Sequence, residues 1–365
     1  MKDLLEMNFR KLYKNKKVLI TGHTGFKGTW LTLWLIKCGA KIMGLSNDVP
    51  TKPSFFKMLK IKKKILDVNC DVRNIDKLEK NILNFKPDYI FHFAAQALVK
   101  KSFLEPYNTW TTNSLGTINI LEILRRNNFK NKITAIIITS DKSYKNLEKQ
   151  KAYIETDILG GSDPYSASKA SAELGLKSYI DSFLKKKKDV LVGIARAGNV
   201  IGGGDWSDDR LIPDCIKSWS KKESVVIRNP KSTRPWQHVL EAINGYLIFG
   251  VKLKNNKKLD GEVFNFGPSN VLNHKVEDLV KKIEVFWKDI KWIIKPDKLK
   301  LESNLLKINS NKAKKKLNWK CILTFSETSE YVSKWYINYF NKNTNMFDYS
   351  SGQISSYEKK LRSKN

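Results

Sequence analysis

Short apolar runs alternate along the first 200 residues with segments whose apolar side chains recur every three or four positions. The apolar runs predict strands that are buried on both faces of a sheet, at 17–22, 41–45, 89–93, 135–139 and 190–194. The spacing of three and four predicts helices between and after them, at about 26–37, 75–85, 115–124 and 166–183. This alternation indicates an α/β fold in which a Rossmann-type, doubly wound parallel sheet carries helices on both faces.

The pattern changes near residue 200, where three consecutive glycines (202–204) and several prolines interrupt it. Strand-like and helix-like stretches then mix, which predicts a smaller mixed α/β C-terminal lobe that is interleaved with the first domain. The predicted units are an N-terminal extension at 1–15, a Rossmann domain at 16–200, the smaller lobe at 201–342 and a polar C-terminal tail at 343–365.

The formal net charge of +31 raises the question of a polyanionic partner. The lysines, however, are spread over the whole chain in short runs, and no stripe of interleaved basic and aromatic residues stands out. We therefore expect a lysine-rich surface with no nucleic-acid partner. Its positive field would still attract a small anionic substrate.

The cysteines and the lengths of the apolar runs indicate the compartment. None of the four cysteines forms a CxxC pair, which predicts no metal site and favours a reducing, cytoplasmic location. No signal-peptide pattern occurs, and no apolar run reaches the length of about 18 residues that spans a bilayer, so no membrane association is expected.

Gly22, Gly25 and Gly28 follow the first predicted strand and open the first predicted helix. Glycine triplets are common in ordinary turns. In this position they favour dinucleotide binding, because they let the backbone approach a diphosphate at a helix N-terminus. Asp48 lies 20 residues after Gly28, where a carboxylate can bind a ribose hydroxyl, and no arginine is nearby, which predicts NAD. An ordinary turn role for Asp48 fits the sequence equally well.

Tyr165 and Lys169 lie four residues apart in a predicted helix and therefore share one of its faces. An ammonium group beside the phenol is expected to lower the pKa of the tyrosine below its usual value of about 10. The phenolate can then accept a hydroxyl proton, and Ser140, at the end of a predicted strand, can hydrogen-bond the same hydroxyl. The alternative is a chance pair on a solvated helix face. The order of glycine loop, serine and tyrosine–lysine pair favours chemistry.

Longer segments carry a more specific resemblance, at 21–28, 30–34, 140–144, 160–169, 195–206, 209–214, 227–230 and 234–241. Through them the chain resembles, from about residue 16 to 340, the CDP-glucose 4,6-dehydratase family of extended short-chain dehydrogenases, in the NAD-dependent epimerase/dehydratase superfamily. The resemblance implies a lyase that converts CDP-glucose to CDP-4-keto-6-deoxyglucose and water, with transient hydride transfer to bound NAD. It also implies a homodimer or homotetramer that serves deoxysugar biosynthesis, as for lipopolysaccharide O-antigen.

The resemblance further implies a role for each catalytic residue. Tyr165 takes the proton of the sugar 4-hydroxyl with Ser140 and Lys169 in support, and Asp141 protonates the departing C6 hydroxyl. Lys142 stands where the related dTDP-glucose dehydratases carry a glutamate. It is either the base for the C5 proton or an electrostatic stabiliser of the enolate. Ser140 replaces the threonine that is usual in the family, and either hydroxyl can make the hydrogen bond.

Binding residues are carried over from the matching motifs. The expected NAD contacts are Gly22, Thr24, Gly25, Phe26, Gly28, Asp71, Val72, Ala94, Ala95, Gln96, Asn113, Tyr165 and Lys169. The expected substrate contacts, whose arginines suit a diphosphate, are Asn199, Arg210, Leu211, Ile212, Arg228, Arg234 and His238. Asp71 can equally cap the following helix, and His238 can equally be a packing residue.

Rival functions share parts of this pattern. A nucleotide-sugar 4-epimerase uses the same glycine loop with Ser140, Tyr165 and Lys169, but it does not need Asp141 and Lys142. A 4,6-dehydratase that acts on a dTDP-, UDP- or GDP-linked hexose would keep all of these residues. A catalytically idle NAD-binding protein that holds nucleic acid through its positive charge is disfavoured, because the residues of the oxidation step are intact.

Overall fold

Seven strands form one parallel sheet in the computed structural model of the protein, which describes residues 8–148, 151–268, 274–287, 291–295 and 305–364. Residues 1–7 of the predicted N-terminal extension lie outside the described residues. Numbered in chain order, the strands of this sheet are β1 (Lys17–Thr21), β2 (Lys41–Ser46), β3 (Leu66–Asn69), β4 (Tyr89–His92), β5 (Ile133–Ile138), β6 (Val190–Ala197) and β11 (Val263–Phe266). Their order, β11-β6-β5-β4-β1-β2-β3, with every neighbouring pair parallel, confirms the predicted Rossmann-type sheet.

The two edge strands, β3 and β11, are additions to the five predicted strands. β3 has the sequence Leu-Asp-Val-Asn and no fully buried residue, so no apolar run marks it. β11 comes from the C-terminal part of the chain and pairs with β6. The smaller lobe is therefore interleaved with the sheet, while the boundaries at residues 200 and 342 stay predictions.

Helices cover both faces of the sheet and build most of the smaller lobe. In chain order they are α1 (Phe9–Tyr13), α2 (Phe26–Lys37), α3 (Phe55–Met58), α4 (Ile75–Phe85), α5 (Val99–Leu104), α6 (Pro106–Trp110), α7 (Gly116–Arg126), α8 (Pro164–Ser182), α9 (Leu211–Trp219), α10 (Val239–Asn255), α11 (Val276–Glu284), α12 (Asn311–Leu317), α13 (Phe325–Phe340) and α14 (Met346–Ser363). A single π-helical turn at Thr111–Leu115 joins α6 to α7.

Alternate residues of each central strand contribute to two separate cores. Val18 and Ile20 of β1 pack with α2 and α10, whereas Leu19 packs with α4, α7 and α8. Because both faces are covered, the strand is a continuous apolar run in the sequence. The first core continues into the smaller lobe through α9, α11 and α13, so that sheet and lobe share one packed interior.

The segments at the two ends of the described chain pack into this first core. Tyr13 of α1 is fully buried and donates a hydrogen bond to the Leu247 carbonyl at 2.8 Å. Residues 343–364 do not form the predicted polar tail, because they contain α14, whose Tyr357 is fully buried. The Trp34 indole of α2 donates to the Glu358 carboxylate of α14 at 2.8 Å. The buried face of α14 includes the polar residues Ser350 and Gln353, so no continuous apolar stripe marks it in the sequence.

Three pairs of short strands complete the smaller lobe. They are β7 (Val200–Ile201) with β10 (Gln237–His238), β9 (Thr233–Arg234) with β12 (His274–Lys275), and β8 (Val225–Ile227) with β13 (Trp292–Ile294). Among the described residues, no helix has the length and apolar character that crossing a bilayer requires.

Candidate active site

The carboxyl ends of β1, β4, β5 and β6 open into one crevice. The strand order reverses between β1 and β4, and ligands of open α/β sheets bind at such a reversal. The residues that directly follow these strands begin with Gly22, Phe93, Thr139 and Gly198. The sheet therefore brings together segments that are far apart in the sequence.

The glycine loop after β1 fits a dinucleotide diphosphate. Gly22 has φ +74°, and a Cβ atom there would lie 2.7 Å from the backbone nitrogen of Ala94. A Cβ on Gly28 would collide with the Gly22 carbonyl. Gly25 precedes α2 without a side-chain cap, so the first N–H groups of this 12-residue helix are available to an anion.

Thr24 ties the glycine loop to the end of β2. Its hydroxyl donates to the Asp48 carbonyl at 2.7 Å, and its backbone N–H donates to the Ser46 hydroxyl at 3.5 Å. The side chain of Thr24 thus holds the loop in place from the β2 side. Phe26, the first residue of α2, lines the large cavity described below.

The expected adenine contacts, Asp71 and Val72, follow β3. The Asp71 carboxylate forms an ion pair with Arg73, whose hydrogen bonds lower the pKa of Asp71. The side chain of Asn74 caps α4 by accepting the Lys77 N–H at 2.9 Å, so the alternative capping role of Asp71 is wrong.

Asn113 connects the end of β4 to α8. Its side-chain oxygen accepts the Gln96 N–H at 2.8 Å, and its nitrogen donates to the Gln96 carbonyl at 3.1 Å and to the Ser168 hydroxyl at 2.9 Å. Ala95 lies in the strand-end segment that these bonds fix, next to Ala94. The expected ribose-side segment is thereby locked to the helix that carries Tyr165.

Tyr165 and Lys169 lie in the first turns of α8, which Asp163 caps by accepting the Ser166 N–H at 2.9 Å. Both side chains are nearly buried, with 8% and 7% exposure. Burial raises the pKa of Tyr165, although the Ser140 hydroxyl acts in the opposite direction. The lowered tyrosine pKa that the sequence predicts is therefore absent from this arrangement, in which desolvation outweighs the nearby charges.

Burial also lowers the pKa of Lys169 to about 7, and the charge of Lys27 adds to this effect. Lys27 is a site residue that the sequence patterns did not predict. It lines the cavity, and burial together with the charge of Arg210 lowers its pKa to about 8. The sequence does contain one indication of this residue, because a lysine in the first turn of an apolar helix is unfavourable beside the positive end of the helix dipole.

Ser140 and Asp141 begin a short 3-10 turn after β5. The Ser140 hydroxyl donates to one Asp141 carboxylate oxygen at 3.1 Å and accepts the Lys142 N–H at 3.2 Å. Asp141 is 3% exposed, and its second oxygen has no hydrogen-bond partner within the described part of the chain. Burial raises the pKa of Asp141, with Lys142 as the strongest opposing charge. A carboxyl group of this kind can hold a proton for transfer.

A buried ion pair fixes the segment that carries Ser140 and Asp141. The Glu173 carboxylate, one turn after Lys169, accepts hydrogen bonds from Arg196 of β6 at 2.8 Å and from the Thr139 hydroxyl at 2.7 Å. Thr139 directly precedes Ser140. The ion pair thus connects α8, β6 and the end of β5. Glu173 lies four residues after Lys169 and therefore on the same face of α8, and this spacing is the feature of the sequence that could have indicated it.

A cavity of about 300 Å³ joins the catalytic group to the smaller lobe. It is lined at once by Ser140, Asp141, Lys142 and Tyr165 and by six of the expected substrate contacts, namely Asn199, Arg210, Leu211, Ile212, Arg228 and Arg234. Arg210 is paired with Asp205 at 2.9 Å and Arg228 with Asp209 at 3.1 Å. The cavity therefore joins the buried carboxyl group of Asp141 to a wall that is rich in guanidinium groups.

His238 does not line this cavity. It is fully buried, caps α10 by accepting the Leu240 N–H at 3.3 Å, and packs against the rings of Trp30 and Tyr331. The structure places it as the packing residue of the alternative interpretation, because β10 directs it inward beside β7.

Comparisons with known proteins agree with this geometry. The family model described as GDP-mannose 4,6 dehydratase matches residues 19–331. The CDP-glucose 4,6-dehydratase of Salmonella typhimurium is 39% identical over 360 residues, which cover 97% of this chain and 98% of that protein. The chain belongs to the CDP-glucose 4,6-dehydratase family. As a member of this dehydratase family the protein is an enzyme of the lyase class.

Other members of the wider superfamily share the fold. The UDP-glucose 4-epimerase of Mycoplasma genitalium is 24% identical over 89% of this chain and 97% of its own. An epimerase structure from Methanothermobacter thermautotrophicus superposes with a TM-score of 0.81 at 23% identity, over 93% of this chain and 98% of its own. The dTDP-glucose 4,6-dehydratase of Bacillus anthracis, solved in complex with NAD, has a TM-score of 0.73 at 22% identity, over 90% and 98%. The CDP-glucose 4,6-dehydratase family thus shares its architecture with epimerases, and side chains must distinguish the activities.

Proposed function

We propose that the protein is a CDP-glucose 4,6-dehydratase, which converts CDP-glucose to CDP-4-keto-6-deoxyglucose and water with NAD held in the crevice. The observation that carries the proposal is the position of Asp141. A buried carboxyl group with a raised pKa lies beside Ser140 and lines the same cavity as Tyr165. A 4-epimerase needs no acid at this place, whereas loss of water requires one.

The expected cofactor residues fit NAD. Gly22 and Gly28 permit a tight backbone turn that a Cβ atom would block, and the N-terminus of α2 after Gly25 supplies N–H groups to a diphosphate. When it is bound, NAD supplies a positively charged nicotinamide that takes the C4 hydrogen with its electron pair and later returns it at C6. Lys169 and the segment after β4, which Asn113 fixes, would hold the ribose of the cofactor.

Tyr165 acts first. Its phenolate oxygen accepts the proton of the sugar 4-hydroxyl, which Ser140 orients with a hydrogen bond. The Ser140 hydroxyl and the charge of Arg210 favour the phenolate against the desolvation that burial imposes, and we assign Lys169, one turn further along α8, the same role in its ammonium form. The resulting 4-keto group makes the C5 proton acidic.

Asp141 then donates its proton to the C6 hydroxyl, which leaves as water. Lys142 lines the cavity beside Asp141 and serves C5 in one of two ways: it accepts the C5 proton itself, or its charge stabilises the enolate while solvent accepts that proton. The proton returns to C5 when C6 is reduced. In each turnover Tyr165 gains one proton and Asp141 loses one, so proton exchange with solvent restores the starting form of both groups.

The arginines of the cavity form the proposed diphosphate clamp. Arg210, Arg228 and Arg234 each carry a planar guanidinium that suits phosphate oxygens. Asn199, Leu211 and Ile212 complete the wall between the clamp and the reacting end. The net charge of +31 assists capture of the anionic substrate.

A second copy of the chain is the proposed protein partner, in a homodimer that can pair into a homotetramer. The support is a row of exposed apolar side chains on α5, α6, the π-helical turn and α8, namely Leu104 (83% exposed), Tyr107 (81%), Leu115 (47%) and Leu174 (58%). Surfaces of this kind usually mark protein interfaces. Sedimentation should give a dimer or larger for the wild type and a monomer for the double variant Leu104→Glu, Tyr107→Glu.

The cytoplasm is the proposed compartment. It supplies nucleotide sugars, and it suits a chain whose four cysteines are all free thiols. A membrane-impermeant thiol reagent tests this location. Applied to partly unfolded protein, the reagent should label Cys321, the most accessible of the four thiols, in lysed cells and not in intact ones.

The test of the proposed activity is a panel of CDP-, UDP-, dTDP- and GDP-glucose. With CDP-glucose we expect a 4-keto-6-deoxy product, which absorbs in alkali, together with loss of one water in the mass spectrum. An epimerase would yield a product of unchanged mass that does not absorb in alkali. Preference for another nucleotide would contradict the assignment of the base while leaving the dehydratase chemistry intact.

A further inference from the structure

Asp214 is a carboxylate of the substrate cavity that the proposed mechanism does not use. It lies in the first turn of α9, where its backbone N–H donates to the Arg210 carbonyl at 2.9 Å. Its side chain lines the cavity and is half-buried. Among the described residues this side chain has no hydrogen bond and no ion pair, and only more distant charges act on it.

The other acidic groups of the cavity are engaged. Besides the proposed acid at the reacting end, Asp205 pairs with Arg210 at 2.9 Å and Asp209 pairs with Arg228 at 3.1 Å. Apart from Asp141, Asp214 is the one carboxylate, within the described residues that line the cavity, that no protein group pairs with. An acceptor in a binding cavity that no protein group occupies is available to a hydrogen-bond donor of the ligand.

Asp214 lies at the end of the cavity away from the reacting sugar. The charged groups that act on it are Asp209, Lys217, Arg228 and Asp208, whereas those that act on the proposed acid form a different set led by Lys142. The α9 helix also packs against β8, and β8 lines the cavity with it. This end belongs wholly to the smaller lobe.

Arg210 links the two ends. Its charge acts on Tyr165, and it precedes Asp214 by one helical turn. A nucleotide sugar with its hexose at Tyr165 and its diphosphate at Arg210 therefore extends its base toward Asp214 and β8.

Pyrimidine bases differ in the group that they present at position 4. Cytosine carries an amino group, which donates hydrogen bonds, whereas uracil and thymine carry an oxygen, which accepts them. A carboxylate attracts the first and repels the second. Burial raises the pKa of Asp214 to about 6, so that it remains mostly ionised at neutral pH.

We propose that Asp214 accepts a hydrogen bond from the exocyclic amino group of cytosine and so selects CDP-glucose over uridine- and thymidine-linked glucose. The inference rests on the proposed function, which it deepens by naming the residue that reads the base. The variant Asp214→Asn is a direct test, because its amide keeps the shape of the side chain and can donate to the oxygen of uracil.

The measurement is kcat/KM of wild type and variant for CDP-glucose and UDP-glucose. Loss of a hydrogen bond to a charged group should reduce the value for CDP-glucose by about 10- to 100-fold, while the value for UDP-glucose stays or rises. Calorimetric affinities for CDP and UDP should change in the same ratio, and they remain measurable in a slow variant. Asp208→Asn is the matched control, since Asp208 is 85% exposed and lies outside the cavity.

An unchanged preference in Asp214→Asn, or an equal loss for both nucleotides, would overturn the inference. Failure of the proposed function looks different, because the wild type itself would then not dehydrate CDP-glucose. A shift of preference toward UDP-glucose in Asp214→Asn alone, with Asp208→Asn like the wild type, supports the assignment.

Discussion

The two ends of the substrate cavity are built differently. At the reacting end, Ser140 and Asp141 follow a central strand, and Tyr165 begins a long helix that Asn113 and the Glu173–Arg196 pair lock to the sheet. At the other end, the arginines and Asp214 lie on loops and on short elements of the smaller lobe. The central sheet thus positions the catalytic residues, while loops and short elements of the smaller lobe carry substrate recognition. Substitutions at the reacting end should abolish individual steps of the reaction, whereas substitutions at the other end should weaken substrate binding.

The largest effect is expected for Tyr165→Phe. Removal of the phenolic oxygen eliminates the proton acceptor for the 4-hydroxyl, so kcat should fall by about a thousandfold or more. No reduced nicotinamide should form in a single turnover, as measured by its absorbance. Tyr179→Phe, on the same helix and outside the cavity, should behave as the wild type. A Tyr165→Phe variant that still reduces the nicotinamide at the normal rate would remove the basis of the proposed oxidation step.

Asp141→Asn should stop the reaction at a later step. An amide cannot donate the proton that the C6 hydroxyl needs, and product formation should fall by about 100- to 1,000-fold. Oxidation at C4 should persist, so reduced nicotinamide should accumulate in a rapid-mixing experiment. Equal loss of both half-reactions, with an unchanged melting temperature, would count against the assigned role.

Substitutions of Lys142 distinguish two possible mechanisms of the elimination step. In Lys142→Arg the charge remains, but the base is lost, since a guanidinium does not deprotonate. A nearly normal rate with arginine and a loss of about tenfold or more with Lys142→Met would identify electrostatic stabilisation. Comparable losses in both would identify the C5 base, which C5 exchange with deuterated solvent measures independently. Lys145→Arg, on the exposed side of the same segment, is the control.

The smallest effect is expected at the binding end. Arg228→Gln removes one guanidinium of the clamp, which should raise KM by about tenfold with kcat nearly unchanged. Arg125→Gln, at an exposed position of α7, tests whether general loss of positive charge explains the result. A decrease in kcat as large as the increase in KM would show that the two ends are not as separate as the fold suggests.

The same division explains what the sequence could predict. Strands such as β5 are buried on both faces, so their apolar runs are visible without any tertiary information. The edge strand β3 and the helix α14 were missed, because a half-buried element shows only part of its apolar side in a polar sequence.

At the site, the glycine loop, Ser140 and the pair at 165 and 169 were predictable because local spacing fixes their geometry. His238 was misplaced as a substrate contact, since a motif does not state which way a side chain points. The raised pKa of Tyr165 and the influence of Lys27 on Lys169 depend on burial and on distances between separate elements. No local pattern contains these quantities.

The most direct test of the account follows the hydrogen of C4. With CDP-glucose deuterated at C4, the wild-type enzyme should release one water and deliver the deuterium to C6 of a 4-keto-6-deoxy product, as read by mass spectrometry and NMR. A product that keeps its mass and retains deuterium at C4 would contradict the dehydratase mechanism and identify an epimerase.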